Sequence, residues 1–397
     1  MIKYLNYILL IILLLSCGRN ASLNNNAPYI SMTVSPIDNV IFNLAGSGTI
    51  TIDWGDGVVE KKTLKAYNQD SLLYDNTYNI VHYYSDSSAY TINIFSDNIT
   101  HFTTGGLIDS MLTSIDVSRA SMLKWLDCSF NKLTKLDLSA NTELTHLQCY
   151  SNELTELDLS ANTELTWLWC GDNQLTDLDV SGATKLKILG CSLNQLTELN
   201  LINNTALTEL DCMGNLLTEL DLSANTALAD LNCLGNQLTS LDVSKNTALT
   251  ELACYGNQLT SLDVRANTAL TELICPGNEL TRLYLSNNTA LTYLDCSKNQ
   301  LTELDLSANT ALIQLYCYNN QLTELDLSNN ITLSRLYCQS NNLSIVALNA
   351  LLGTLHNNPP NYFKSLSIAN NPGTDDCDIS IAEKKEWEVD IVTYYIL

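Results

Sequence analysis

From about residue 102 to residue 343 the apolar positions recur every 21 residues, a period that belongs to neither a single helix nor a single strand. One unit reads Leu144-Thr-His-Leu147-Gln-Cys149-Tyr-Ser-Asn152-Glu-Leu154-Thr-Glu-Leu157-Asp-Leu159-Ser-Ala-Asn162-Thr-Glu. Cys recurs at 128, 149, 170, 191, 212, 233, 254, 275, 296, 317 and 338, and Asn stands three residues after each, from Asn131 to Asn341. Leu147 and Cys149 are two apart and therefore share one face of a strand, while the residues between and beside them point the other way. The Asn ends the strand, where its amide can satisfy backbone groups of the turn. Leu154, Leu157 and Leu159 bring the chain back along the far side of the same core. One such coil cannot bury its apolar face alone, whereas stacked coils bury a continuous core. The pattern predicts an α/β solenoid with a parallel β-sheet on one side and short, mostly β or irregular coils on the other.

The flanks differ in style. Residues 28–101 hold alternating runs, Thr49-Ile50-Thr51-Ile52-Asp53-Trp54-Gly55-Asp56-Gly57-Val58-Val59, then His82-Tyr83-Tyr84 and Tyr90-Thr-Ile92-Asn-Ile94. Alternation around Gly and Asp turns predicts a small β-sandwich. Asp53 and Asp56 suit an Asx turn, with a bound cation as the rarer alternative. Residues 344–397 are expected to cap the exposed apolar end of the array. Their pattern predicts a helix over Ser344–His356, a strand at Leu366–Ile368, a turn at Asn371–Gly373, a helix over Ile379–Trp387 and a strand over Val389–Ile396. A degenerate first repeat is expected over Gly105–Asn141, with Leu107 in the Cys position and Ser110 in the Asn position.

At the start, Ile8–Leu15 is an unbroken apolar run of eight, too short to span a bilayer and suited to a signal-peptide core. It leads into Leu14-Leu15-Ser16-Cys17-Gly18, which resembles the lipobox of bacterial lipoproteins. The resemblance implies a signal peptide over 1–16, lipidation of Cys17, and a polar tether over 17–27 that holds the protein at a membrane it does not span. Residues 102–343 resemble the bacterial leucine-rich repeat proteins, most of all the cysteine-ladder type of internalin, which shares the 21-residue unit with Cys at a Leu position. The WGDG, HxY and YxIxI motifs of residues 28–101 resemble the polycystic-kidney-disease, immunoglobulin-like modules of bacteria.

Composition narrows the function. The chain has 397 residues with 19 Lys plus Arg against 43 Asp plus Glu, a formal net charge of −24. That excess argues against nucleic acid, because phosphate contacts need cations. The 13 Cys first suggest a disulfide scaffold. Equivalent Cβ atoms on stacked parallel strands lie ~4.8 Å apart with parallel vectors, which suits slim buried side chains better than disulfides. No CxxC pair marks a metal site, and no GxSxG, HExxH or Gly-rich phosphate loop marks catalysis. No metal, cofactor or enzymatic activity is expected.

Binding is the better class. In LxxLxCxxN the residues three before, one before and one after the Cys point away from the core. Both halves of the unit share the form LxxLx[LC]xxN, so the assignment of the Cys half to the concave sheet rests partly on the internalin resemblance. On that assignment the candidate ligand-binding residues are organised along the array. Trp125, His146, Tyr150, Trp167 and Trp169 form an aromatic group near the N-terminal end. Glu209, Asp211, Asp230, Glu251 and Glu272 form an acidic band, and Tyr255, Tyr293, Tyr316, Tyr318 and Tyr337 a second aromatic field. Exposed Trp and Tyr are enriched at binding hot spots. The other half, LTxLDLSxNT, is monotonous and repeats Asp at eight of ten equivalent positions from Asp137 to Asp326. Those Asp residues are either solvated and bonded to neighbouring Ser and Asn, or ion-bound. The expected function is a surface-anchored binding or adhesion protein of the bacterial cell envelope, at the outer membrane or cell surface. The expected partner is a protein or glycan on a cell surface, with a carbohydrate-binding lipoprotein as the alternative.

Overall fold

The computed structural model describes residues 27–36, 39–67, 79–104, 110–358 and 363–392. The signal peptide, Cys17 and the tether up to residue 26 lie outside them. The chain forms two compact units that divide after Asn162. Among the described residues no helix is long and apolar enough to cross a membrane.

In the first unit, β1 (Ile30–Pro36), β3 (Thr49–Asp53), β4 (Val59–Thr63), β6 (Tyr90–Phe95) and β8 (Ser110–Asp116) form an antiparallel sheet in the order β4-β3-β6-β1-β8. A second set runs β5 (Asn79–Tyr83), β2 (Asn39–Gly46), β7 (Ile99–Thr103), β9 (Trp125–Asp127), β10 (His146–Gln148). Alternation dictates the core: along β2 the inward residues Val40, Phe42 and Leu44 are buried. Phe42 meets Trp54, which follows β3, at 5.6 Å and Phe102 of β7 at 5.7 Å, so rings from both sheets share one core.

β7 changes role along its width. It pairs antiparallel with β2 and parallel with β9, in the register His101↔Trp125, Phe102↔Leu126, Thr103↔Asp127. This corrects the expected first repeat. The strand preceding the first ladder Cys is His101-Phe102-Thr103, so Thr104 stands in the Cys position. Ser110 opens β8, which pairs with β1, and Leu107 lies outside the described residues. The step from His101 to Trp125 is 24 residues, and a search at a period of 21 cannot find it.

In the second unit the strands β11 (Trp167–Trp169), β12 (Ile188–Gly190), β13 (Glu209–Asp211), β14 (Asp230–Asn232), β15 (Glu251–Ala253), β16 (Glu272–Ile274), β17 (Tyr293–Asp295), β18 (Gln314–Tyr316) and β19 (Arg335–Tyr337) pair in parallel and in register. Each centres on a buried Leu followed two residues later by a buried Cys. The strands therefore come from the Cys half of the unit, and the LDLS half contains only turns. Beyond Leu343 the chain leaves the 21-residue spacing but not the sheet. Helix α1 (Ile345–Thr354) is N-capped by Ser344, whose side chain accepts from the Ala347 amide. The strands β20 (Ser365–Ser367) and β21 (Glu388–Asp390) then continue the parallel register, with the four-residue helix α2 (Ser380–Glu383) between them. The expected long second helix is absent from residues 384–387, where Glu386 has a positive φ.

Two Asn columns hold the coils together. Asn257 illustrates the first: its Oδ1 accepts from Leu238 N at 3.0 Å, and its Nδ2 donates to Cys233 O at 3.0 Å and Cys254 O at 3.1 Å. The second, in the SxNT turn, is exemplified by Asn246, whose Nδ2 donates to Leu222 O at 3.0 Å and Asn225 O at 2.9 Å. Asn257 closes its own turn and reaches the preceding coil, and Asn246 bonds to the preceding coil alone, so register is enforced by bonds as well as by packing. The second residue after every ladder Cys is left-handed, with φ between 52° and 67°. Gly214, Gly235, Gly256 and Gly277 adopt this conformation readily, whereas Phe130 and Leu193 do so at a cost.

Candidate functional site

The two outward columns of each strand flank its buried Leu, as the alternation requires, and the third column lies just past the strand in the turn. In the first unit Trp125 and His146 stack with centroids 4.4 Å apart and planes within 13°. The stack continues to two residues that sequence reasoning missed, His101 at 6.4 Å from Trp125 and Tyr67 at 4.1 Å from His101. The missed signal is the pair Thr100-His101, repeated as Thr145-His146. Thr145 Oγ1 donates to Lys124 O at 2.9 Å and so accepts from His146 Nδ1 at 2.9 Å. Thr100 Oγ1 donates to Ala45 O at 3.3 Å and accepts from His101 Nδ1 at 2.8 Å. Both rings are thereby held as the Nδ1–H tautomer, leaving Nε2 without a proton. Burial, with lesser contributions from His146 and Lys124, pulls the His101 pKa down to about 4. Burial also lowers that of His146. Tyr150 packs edge-on against Phe130 at 4.6 Å.

In the second unit Trp167 and Trp169 lie 6.0 Å apart, tilted by 40°. Trp169 is 38% exposed and rests on the next strand: a Cβ at Gly190 would stand 3.2 Å from its Cδ1 and 3.4 Å from its Nε1. The register that follows sets Gly190 beside Asp211 and Ile188 beside Glu209. All five carboxylates of the expected acidic band come together here. Glu209, Asp211, Asp230, Glu251 and Glu272 line a hollow of about 270 Å³ whose floor includes Leu210 and Leu252. No Lys, Arg or His is among its lining residues. Burial first, then repulsion from Glu251, Glu209, Asp211 and Glu272, pushes the Asp230 carboxyl up to about 6. Glu272 pairs with Tyr293, so the acidic row runs directly into the tyrosines. Tyr293 and Tyr316 lie 5.5 Å apart, and Tyr316 and Tyr337 stack at 5.0 Å with planes 3° apart. Tyr255 and Tyr318 stand in the turn column, away from that stack. Tyr255, 38% exposed, lies against Gly277, where a Cβ would be 2.8 Å from its ring.

The remaining candidates settle into structural roles. Each ladder Cys is fully buried, and all described cysteines, Cys377 included, are free. Burial pushes the thiols of Cys170, Cys233 and Cys338 up to about 12, so they are unreactive at neutral pH. Asp53 and Asp56 accept from Gly55 N and Val58 N in Asx turns, and Asp56 Oδ2 also meets His82 Nε2 at 2.7 Å. On the turn side the repeated Asp bonds the Ser two residues on, as Asp242 Oδ1 does with Ser244 N at 2.9 Å.

No protein-family model matches the chain. No curated protein matches it by sequence. Solved structures do. The functional domain of InlJ from Listeria monocytogenes, described as including a cysteine ladder, is 36% identical, covers 65% of this chain and 66% of its own length, and superposes with a TM-score of 0.50. The chain thus spans just under two thirds of that domain. The internalin InlF from Listeria monocytogenes is 24% identical over 74% of this chain and 87% of its own, with a TM-score of 0.65, and supports the fold. The leucine-rich repeat ectodomain of the receptor kinase GASSHO1/SCHENGEN3 from Arabidopsis thaliana, solved in complex with Casparian strip integrity factor 2, is 25% identical over 64% of this chain and 36% of its own, with a TM-score of 0.52. The repeat, the buried cysteine column and these neighbours make the chain a leucine-rich repeat protein of the cysteine-ladder, internalin-like kind.

Proposed function

We propose that the chain is a surface-anchored binding or adhesion protein whose sheet face engages a protein on a cell surface. One observation carries this reading. The sheet columns change from coil to coil and concentrate Trp, Tyr and carboxylates, while the turn side repeats the same residues. A face kept monotonous meets the demands of the fold, and a face that varies is available for recognition. The plant receptor ectodomain, solved in complex with Casparian strip integrity factor 2, is consistent with a protein or peptide partner. Cys17 supplies the proposed lipid anchor at the bacterial envelope, with the outer membrane as the site of display. Residues 28–101 and 344–397 serve as the proposed N-terminal module and C-terminal cap.

The test is flow cytometry of the labelled protein on cells pretreated with protease or with glycosidases. Binding lost after protease and retained after glycosidase supports a protein partner. The opposite pattern would assign the face to glycans. Metabolic labelling with a fatty acid, compared between the wild type and Cys17→Ala, tests the anchor.

A further inference from the structure

The tyrosine row of the sheet ends at β19. Tyr316 and Tyr337 stack with planes 3° apart, and the next outward residue in register is Ser367 of β20, followed by Asp390 of β21. A ring is thus succeeded by a hydroxymethyl group and then by a carboxylate. Because the Tyr316 ring stacks on one face of Tyr337, the other face is turned toward β20. Neighbouring strands lie ~4.8 Å apart, so Tyr337 and Asp390 stand ~9.6 Å from each other as the walls of a notch, with Ser367 as its floor. The companion column on the same three strands reads Arg335, Ser365, Glu388 and lines one end of the notch.

Ser367 is only 5% exposed, yet its Oγ has no hydrogen-bond partner among the described residues. A buried hydroxyl costs stability unless something bonds to it. Ser367 follows the buried Leu366 on β20, so its side chain points outward into the notch. Arg335, exposed on the same face, and Ser365 also have no side-chain partner among the described residues. Asp390 uses only Oδ1, which accepts from Val392 N at 2.9 Å. The notch therefore offers a pure donor in Arg335, pure acceptors in Glu388 and Asp390, and serine hydroxyls that do both. A cationic ligand meets Arg335, and an anionic one meets Glu388 and Asp390. A neutral ligand whose hydroxyls both donate and accept suits all of them, provided that it also has a flat apolar side to lie on the Tyr337 ring. A pyranose has both features.

We propose that the notch bounded by Tyr337, Ser367 and Asp390 is a subsite for a single neutral pyranose ring. One face of the sugar lies on Tyr337, and a hydroxyl at its edge bonds Ser367 Oγ. Further hydroxyls donate to the carboxylates of Asp390 and Glu388 or accept from the Arg335 guanidinium. The stack on Tyr316 holds the Tyr337 platform in place beforehand, which lowers the entropy lost on binding. The subsite goes beyond the protein-binding reading and does not depend on it; a glycosylated surface protein would engage both.

The test is saturation-transfer difference NMR and titration of the full chain with the methyl glycosides of glucose, galactose, mannose and N-acetylglucosamine. The methyl glycosides of glucuronic acid and glucosamine serve as the anionic and cationic counterparts. At least one neutral glycoside is expected to bind, and more tightly than either charged one. Ser367→Ala should weaken that binding about three- to tenfold. Tyr337→Ala should abolish it, and Tyr284→Ala on the turn side should leave it unchanged. Should Tyr337→Ala fail to fold, Ser367→Ala, which removes one oxygen, still decides. No binding of any neutral glycoside, or equal binding by wild type and Ser367→Ala, overturns the subsite. So does tighter binding of a charged counterpart. If the subsite fails while sheet-face variants still lose cell binding, the inference falls and the protein-binding reading stands.

Discussion

Trp125 and His146 stack at 4.4 Å because their strands pair in register and their side chains leave the same side of the sheet. The same rule governs every outward residue of the array. It decides which aromatic rings are set against each other.

The stack in the first unit makes stability depend on acid. His101 titrates near 6.5 in the unfolded chain and about 4 in the folded one. Between those values the unfolded state binds the proton more readily, so stability is full above pH ~6.5 and falls as pH drops toward 4. The displacement alone allows ~3 kcal/mol. The ring is partly exposed, and screening reduces the expected loss to about 1–2 kcal/mol. Urea denaturation at pH 7.0, 5.5 and 4.5 should show this loss in the wild type and a smaller one in His101→Phe. Parallel curves for the two proteins would refute it.

The two Asn columns should differ in strength. Asn257→Ala strands the Leu238 amide inside the core, while Cys233 O and Cys254 O still accept from Asn236 and Asn278, for a loss of about 2–3 kcal/mol. Asn246→Ala strands no backbone group, because Leu222 O and Asn225 O still accept from the Asn225 and Leu228 amides and the buried Oδ1 of Asn246 has no bonding partner, and should cost about 1–2 kcal/mol less. Equilibrium unfolding of both variants gives the comparison, and equal losses would contradict the bonding pattern.

Leu193 sits at φ 52° where other coils use glycine, and half of its side chain is exposed. Leu193→Gly relieves the left-handed strain and gives back part of that gain as unfolded-chain entropy. The expected net stabilisation is about 0.5–1 kcal/mol by thermal or chemical denaturation. A destabilised variant would show that the Leu193 contact with the next coil outweighs the strain.

The ladder thiols should be present and silent. A thiol reagent added to the folded, unreduced protein should modify none of the eleven, and the same reagent in denaturant should modify all of them. Few thiols in denaturant would mean disulfides. Cys254→Ser should cost more than Cys254→Ala, since it buries a hydroxyl at a position with no exposure.

Much of this molecule could be read from its letters, for a physical reason. A coil that repeats every 21 residues repeats its environment too, so Leu147, Cys149 and Asn152 each report one fixed role many times over. Which half carried the sheet was not legible, because both halves place Leu at the same spacing. The entry into the array escaped because Phe102 has no Cys after it and the spacing to β9 is 24 residues. Candidate site residues could be sorted into columns, and the acidic band assembled as expected. Ring orientation was beyond reach: nothing in the letters shows that Trp169 lies down while Tyr316 stands stacked, since that depends on Gly190 in the next coil.

The central claim is that recognition belongs to the sheet face. Two triple variants test it on cells that bind the wild type: Trp169→Ala, Asp230→Asn and Tyr316→Ala on the sheet, against Tyr284→Ala, Asp305→Asn and Asp326→Asn on the turns. With both variants shown to be folded by circular dichroism, the account predicts that the sheet variant loses cell binding at least about tenfold while the turn variant binds as wild type. Retained binding by the sheet variant, with loss in the turn variant, would contradict it.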